Sequence, residues 1–532
     1  MTTPFDTTTR GIAAAALALA VLQTPAATSA SFTIPNSERA IVHALNRLAF
    51  GARPGDVARI QDRTLAGWIG QQLSPDRVSD AEMDARLERL TTLTLEPEVL
   101  AEGFIAARQE RRRRQQAAGQ SGQPSEPLPM NTDMRRGRQV FAELGEAKLV
   151  RAVYSERQLE EVLVDFWFNH FNVFARKGQA EIYVGEYERE AIRPHVLGGF
   201  RELLGATAKS PAMLVYLDNW MSADPHAAAQ MKRLPRRRGP AQTPPNPAPQ
   251  GRMMRGLNEN YARELLELHT LGVDGGYTQQ DVVEVARAFT GWTIGRPHDP
   301  GFRFALAMHD RGAKKILGHT LPSGGGIEDG EKVLDIIASH PATGRHIAFK
   351  LAQRFVSDTP PPDLVDRATQ TFHSTKGNLR EVVRTIVTSP EFFASDTYRA
   401  KVKTPFEFVV SALRATGADI RSGQSVVRAL AGLGMPLYLC QPPTGYDETA
   451  ETWVSSGALV NRMNFALAVS GGQMRGIQIQ ADGAGPSAAR DWIVREALAS
   501  DVSKATLDTL AKATTAEQAM ALALGSPEFQ RQ

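Results

Sequence analysis

Leu163-Val-Asp-Phe-Trp-Phe-Asn-His-Phe-Asn-Val-Phe174 is the stretch on which the reading of this chain turns. Wound at 3.6 residues per turn, its apolar side chains surround the whole axis, so it predicts a helix over Leu159 to Val173 buried on every side, not an amphipathic surface helix. Such a rod belongs in a core. Yet Asp165, Asn169 and Asn172 recur at i, i+4 and i+7 and line up as one polar stripe, with His170 about a third of a turn away. Buried polar groups are expensive unless partnered, so the stripe must meet other polar residues inside the protein. That meeting place is the candidate site.

Working outward, a second chemically rich stretch runs from Asn258 to Thr270 and also reads as a helix. Tyr261, Ala262, Leu265, Leu266 and Leu268 define its core face, and His269 falls inside that arc. Asn258, Glu259, Asn260, Arg263, Glu264 and Glu267 occupy the rest. Glu259 and Arg263 can pair at i, i+4, and this face could equally be solvated. Thr278 predicts an N-cap answered by Asp281, opening a helix that carries Val282, Val285, Ala286 and Phe289 towards Trp292. The polar residues of the two stretches need partners, which predicts that His269, or the Glu264 and Glu267 edge, lies near Asp165, Asn169 and His170.

The remaining chain is helical in pattern almost throughout. Ser37 caps a first helix through Ile41, Leu45 and Leu48, stopped at Gly51. Ser210-Pro211, Ser389-Pro390 and Ser526-Pro527 repeat a serine cap followed by proline at the first helical position. The exception is Phe302 to Leu321, where Phe302, Phe304 and Leu306 alternate with polar or small residues before a turn at Asp310-Arg311-Gly312; this predicts one small β-hairpin with His309-Asp310 at its tip. The glycine-rich loop after it, Gly324 to Glu331, has a glutamate where a phosphate loop needs lysine and no strand-loop-helix unit around it, so a nucleotide role is set aside. The fold class is therefore mainly α: one large helical domain with a small hairpin near 302–321.

Composition bounds the rest. An apolar run from Gly11 to Leu22 after Arg10, ending in small residues at Ala26 to Ala30, predicts a secretory signal peptide over residues 1–30, with 31–532 as the mature domain and a periplasmic or extracellular location. The run is shorter than the roughly 20 residues a membrane span needs, and no later stretch is apolar enough. The single cysteine, Cys440, excludes an intramolecular disulfide. The net charge of +3 is small, and much of the basic excess sits in two arginine-rich, proline-containing segments, near 108–138 and 223–256, which read as flexible basic insertions. Nucleic acid does not fit a chain whose basic runs lack interleaved aromatic residues.

Two inward histidines, His170 and His269, with carboxylates at Asp165, Glu264 and Glu267 and amides at Asn169 and Asn260, are materials for an acid-base pair or for a divalent metal site. A single histidine on an apolar face is more often a hydrogen-bonded core residue. No His-Glu-x-x-His, Glu-x-x-His, cysteine cluster or Gly-x-Ser-x-Gly elbow is present, so no known ligand set or nucleophile motif decides the matter.

Several motifs taken together resemble a known family. They are His43-Ala-Leu-Asn46-Arg47, Asp165-Phe-Trp-Phe-Asn169-His170, Asn258 through His269, Phe289-Thr-Gly-Trp292, His309-Asp310, Lys401-Val-Lys-Thr-Pro405-Phe-Glu407, Cys440-Gln-Pro-Pro-Thr-Gly445-Tyr446 and Asn461-Arg462-Met-Asn464. The chain is similar, across nearly its whole mature length, to the bacterial family catalogued as domain of unknown function 1800. The resemblance implies an exported, mainly helical protein whose genes often neighbour those of a second exported family resembling alkaline phosphatases and sulfatases. It brings no agreed activity and no catalytic residues; the two basic segments lie outside its motifs. Two function classes follow. One is an envelope hydrolase with His170, Glu264, Glu267 and His269 as acid, base or ligand and Asp165, Asn169, Asn172, Asn258, Asn260, Arg263, His309 and Asp310 as binding residues. The other is a non-catalytic scaffold or accessory protein for an exported phosphatase-like or sulfatase-like partner.

Overall fold

Gln158–His170 is a helix, and its residues from Leu159 to Phe168 lie buried almost without interruption, Trp167 among the largest side chains with no exposure at all. Glu160 and Glu161 in its first turn suit the positive end of the helix dipole. The helix ends three residues before Val173, where the sequence alone would carry it. Phe171 adopts a non-helical conformation, Tyr187 donates to its carbonyl at 2.7 Å, and Asn172 turns its side chain to another part of the chain. This computed structural model describes residues 1, 32–96, 98–102, 132–226, 256–296, 299–479, 486–498 and 500–532. The expected signal peptide lies outside the described residues, as do residues 108–131 and 227–255 of the two basic segments. Residues 132–138 of the first segment are helical, the start of Thr132–Tyr154, in place of the loop expected there.

The protein is mainly α, with three two-stranded antiparallel sheets among the described residues. Ile34–Gln532 makes one unit, whose apolar core runs from Ala40 through the central helix to Phe529. Local chemistry explains many boundaries. Ser37 accepts from Ala40 N, and Thr278 with Asp281 forms a reciprocal capping box. Ser210 and Ser526 cap helices that start at Pro211 and Pro527, but Ser389-Pro390 opens only a turn, in which Ser389 Oγ accepts from Phe392 N.

The strands differ from the expected single hairpin. Strand β1 (Trp292–Arg296) pairs with β2 (Asp299–Phe304), and a separate β3 (Lys314–Ile316) pairs with β4 (His319–Leu321). The alternation at Phe302 and Phe304 is real, but its partner lies upstream: Phe302 opposes Ile294 and Phe304 opposes Trp292. His309-Asp310 accordingly stands between two hairpins, not at a tip. The third pair, β5 (Asp419–Ile420) with β6 (Ile477–Gln478), ties distant helices together.

Candidate functional site

The polar stripe finds its partners in two ways. Asp165 Oδ1 lies 2.9 Å from Lys148 Nζ and its Oδ2 lies 3.8 Å from Arg354, which itself holds Glu407 at 2.9 Å and Glu448 at 3.0 Å. All five side chains are at most about a tenth exposed. Burial alone would drive Arg354 towards losing its proton, but Glu407, Glu448 and Asp165 outweigh it and raise its pKa. Lys148 responds in the same direction: burial opposes its charge, and Asp165 and Glu188 more than restore it.

Asn169 and Asn172 instead hold a loop. Asn169 Nδ2 donates to Tyr446 O at 2.8 Å while its Oδ1 accepts from Tyr446 N at 2.7 Å, and Asn172 donates to the carbonyls of Cys440 and Pro442. The fit is close enough to require glycine at 445. Its φ is +73°, and a Cβ there would stand 2.3 Å from Asn169 O. Through this loop Glu448 reaches Arg354 on one side and Asn169 Nδ2, at 3.4 Å, on the other.

At the last residue of the central helix the surroundings change. His170 Nε2 is 3.2 Å from His269 O, and His346, on the helix Pro341–Phe355, sets its Nε2 3.3 Å from Leu268 O. A carbonyl only accepts, so each Nε2 carries the proton and each Nδ1 the lone pair. Two imidazoles thus secure consecutive carbonyls of the chain leaving the helix Glu259–Glu267, where backbone acceptors run out of intrahelical partners. The His170 ring centroid lies 6.3 Å from that of His269 and 6.0 Å from that of His346. Burial, aided by the neighbouring histidines and Lys350, holds His170 well below its ordinary pKa; burial and then His346 bring His269 down to about 3; burial and then Lys350 bring His346 down to about 4. All three are neutral at physiological pH. His269 is the odd one: its Nε2 is buried with no hydrogen-bond partner among the described residues.

His170, His346 and Asn169 line a cavity of about 300 Å³ together with Glu267, Lys350 and Glu448. Exposed Val273 and Asp447 stand among the lining, so the cavity opens to the surface. Glu267 accepts a hydrogen bond from Tyr277 OH at 3.0 Å. Glu264, half-buried, has its pKa raised by burial and then by Glu267. Among the described residues no group of three or more His, Cys, Asp or Glu side chains is placed to hold a metal ion.

The structure therefore brings Asn169, His170 and Glu267 to one cavity, with His269 immediately behind it and Asp165 two ion pairs away, through Arg354 and Glu448. It does not bring the others. Asn258 is a helix cap, its Oδ1 accepting from Tyr261 N and its Nδ2 donating to Leu217 O. Asn260 is exposed, and Arg263 bonds Gln279 at the surface. His309 and Asp310 belong to a separate buried cluster: His309 lies 2.8 Å from Thr290 O and 3.2 Å from Asp329, whose carboxylate also takes Lys314, while Asp310 receives Arg287 through two hydrogen bonds. Among the cavity residues missed from sequence are His346, Lys350, Tyr446 and Glu448. His346, Lys350 and Arg354 follow one another at i, i+4 and i+8, a stripe that was there to be read.

A mainly helical chain folded round one fully buried helix, with a histidine-lined cavity at that helix's end, is the class of protein that fold and site define. The sequence model of the family described as "Protein of unknown function (DUF1800)" matches residues 43–531, so the chain belongs to that family. No curated protein and no solved structure matches it.

Proposed function

We propose that the protein acts outside the cytoplasm as a hydrolase of an envelope polymer or conjugate, using the cavity at the end of the central helix. One observation carries this reading: a carboxylate (Glu267), an ammonium (Lys350) and two neutral imidazoles (His170 and His346) face one open cavity, and Lys350 makes no ion pair among the described residues. Imidazoles with pKa values pushed so low accept protons poorly near neutrality, so His170 and His346 serve as neutral groups that orient water or substrate. Glu267 is then the base that takes the proton of the attacking water, and Lys350 stabilises the negative charge that grows on the attacked group. The exported location rests on the apolar run Gly11 to Leu22 and the small residues after it; no helix among the described residues is long and apolar enough to cross a membrane.

The test is a panel of chromogenic phosphate, sulfate, carboxylic ester and glycoside substrates. Turnover of one class, abolished in Glu267→Gln and His170→Ala and kept in Asn260→Ala, supports the reading; no turnover, or turnover indifferent to Glu267, overturns it. A second reading, an accessory protein for an exported phosphatase-like or sulfatase-like enzyme, draws support from the fact that His170, His346 and Asn169 already secure backbone groups. Co-expression that raises the yield of such a partner, undiminished in Glu267→Gln, would favour it.

A further inference from the structure

We propose that a second cavity, formed where the helices Thr132–Tyr154 and Gln424–Gly432 part, binds a phosphate or sulfate oxyanion through Arg138, Arg176 and Arg428. The first helix turns Arg138, Phe141, Ala142 and Gly145 to one side, at i, i+3, i+4 and i+7. At Gly145 the two helices touch so closely that a Cβ would meet Val427 Cγ1 at 3.2 Å. One to two turns earlier the space between them opens into a cavity of about 270 Å³, lined by Arg138, Phe141, Arg176, Glu181, Gln424 and Arg428. A water's share of liquid volume is about 30 Å³, so the space admits a group several times that size.

The charges decide what that group is. The arginines come from three places, the two helices and the turn after the central helix, and none of them makes an ion pair among the described residues. Elsewhere in the molecule more deeply set arginines take carboxylates, as Arg201 takes Glu331 and Asp335, and Arg193 takes Glu161. Three guanidinium groups line one cavity with a single carboxylate among them, and a dianion with several acceptor oxygens offsets the excess positive charge while matching their paired N–H donors. The one carboxylate in the lining, Glu181, is outnumbered by the three arginines, so the lining is positive in sum. Phe141 and Val427 supply an apolar wall for whatever carries the oxyanion, and Gln424 a further neutral donor. The site is separate from the histidine-lined cavity and does not depend on the hydrolase reading.

Titration calorimetry with inorganic phosphate and inorganic sulfate, against chloride at matched ionic strength, tests this on the whole protein. The expected result is saturable binding of phosphate or sulfate, weakened about tenfold by each of Arg176→Gln and Arg428→Gln and kept in Glu267→Gln. Because all three arginines are exposed, the variants should keep the wild-type unfolding temperature in chloride. Vesicles of phosphatidylglycerol and of phosphatidylcholine separate the sources: binding to the first only, lost in the double variant, assigns the oxyanion to a lipid headgroup, and binding of the free ion without vesicles assigns it to a soluble ligand. Heats equal to those in chloride with no vesicle binding, or binding unchanged in the double variant, overturn the proposal.

Discussion

Asp165 and His170 stand little more than one turn apart on the same buried helix and meet opposite surroundings. Around Asp165 every charge is answered: Lys148, Arg354, Glu407 and Glu448 form a chain of contacts in which each member has a partner of opposite sign. Around His170 the groups are held but not used up. Its Nε2 secures a carbonyl, its Nδ1 keeps a lone pair, and beside it Lys350 faces the cavity without an ion-pair partner among the described residues. Both residues belong to one buried helix, Asp165 on its polar stripe and His170 beside it, so burial alone does not distinguish a structural group from one able to meet a ligand. What distinguishes them is whether the neighbours exhaust each other's bonding capacity.

The comparison predicts its largest effect at the closed end. Arg354→Ala would leave Glu407, Glu448 and Asp165 buried without their shared cation, and removing one partner of a buried ion pair costs about 3–5 kcal/mol. The expected outcome is a large fall in the urea midpoint, or failure to accumulate folded protein. A loss under about 1 kcal/mol would mean that the network is not closed in the sense described.

How much of this was legible in the sequence differs by element. The central helix declared itself because apolar residues all round an axis have only one stable place to go. Thr278 and Ser37 could be read because capping is a local transaction between a side chain and the next few N–H groups, whereas Asn258, expected as a binding residue, proved to be a cap as well. The partners of Asn169 could not, because they lie 277 residues on, and nothing in the stripe itself points to Tyr446. His346, Lys350 and Arg354 escaped for another reason: polar residues every fourth position describe a solvated helix face as well as a cavity wall, and only tertiary contacts separate the two. The strand alternation at Phe302 and Phe304 was visible, but alternation does not say on which side the partner strand comes, and Trp292 to Ile294 proved to be it.

A smaller effect is predicted from acid. His269 is fully buried with its pKa near 3, against 6.5 when exposed. Above pH 6.5 it is neutral in both states and contributes no pH dependence. Between pH 6.5 and about 3 the unfolded chain binds a proton that the folded chain refuses, so stability falls as the pH falls, by up to about 1.4 kcal/mol per pH unit for one such group. Urea unfolding at pH 7, 6, 5 and 4 should therefore show a shallower acid decline in His269→Gln than in the wild type. Parallel declines would remove His269 from the account and leave the acid response to other groups, such as His43, which burial also holds near 3.

The smallest change in stability is expected at the open end, and it is the one that bears on function. Glu267 is only partly buried and spends one hydrogen bond on Tyr277 OH, which a glutamine oxygen can still accept. Glu267→Gln should shift stability by no more than about 0.5 kcal/mol. His170→Ala removes the donor that satisfies His269 O, and leaving a buried acceptor unpaired costs about 1–3 kcal/mol. The two variants thus separate the two jobs of the cavity wall: His170 supports the chain and also faces the open space, whereas Glu267 faces it with little structural duty. If both lose turnover while only His170→Ala loses stability, the cavity is a site built on a structural frame. If Glu267→Gln destabilises as much as His170→Ala, the open end is as closed as the Asp165 network, and the contrast between the surroundings of Asp165 and His170 disappears.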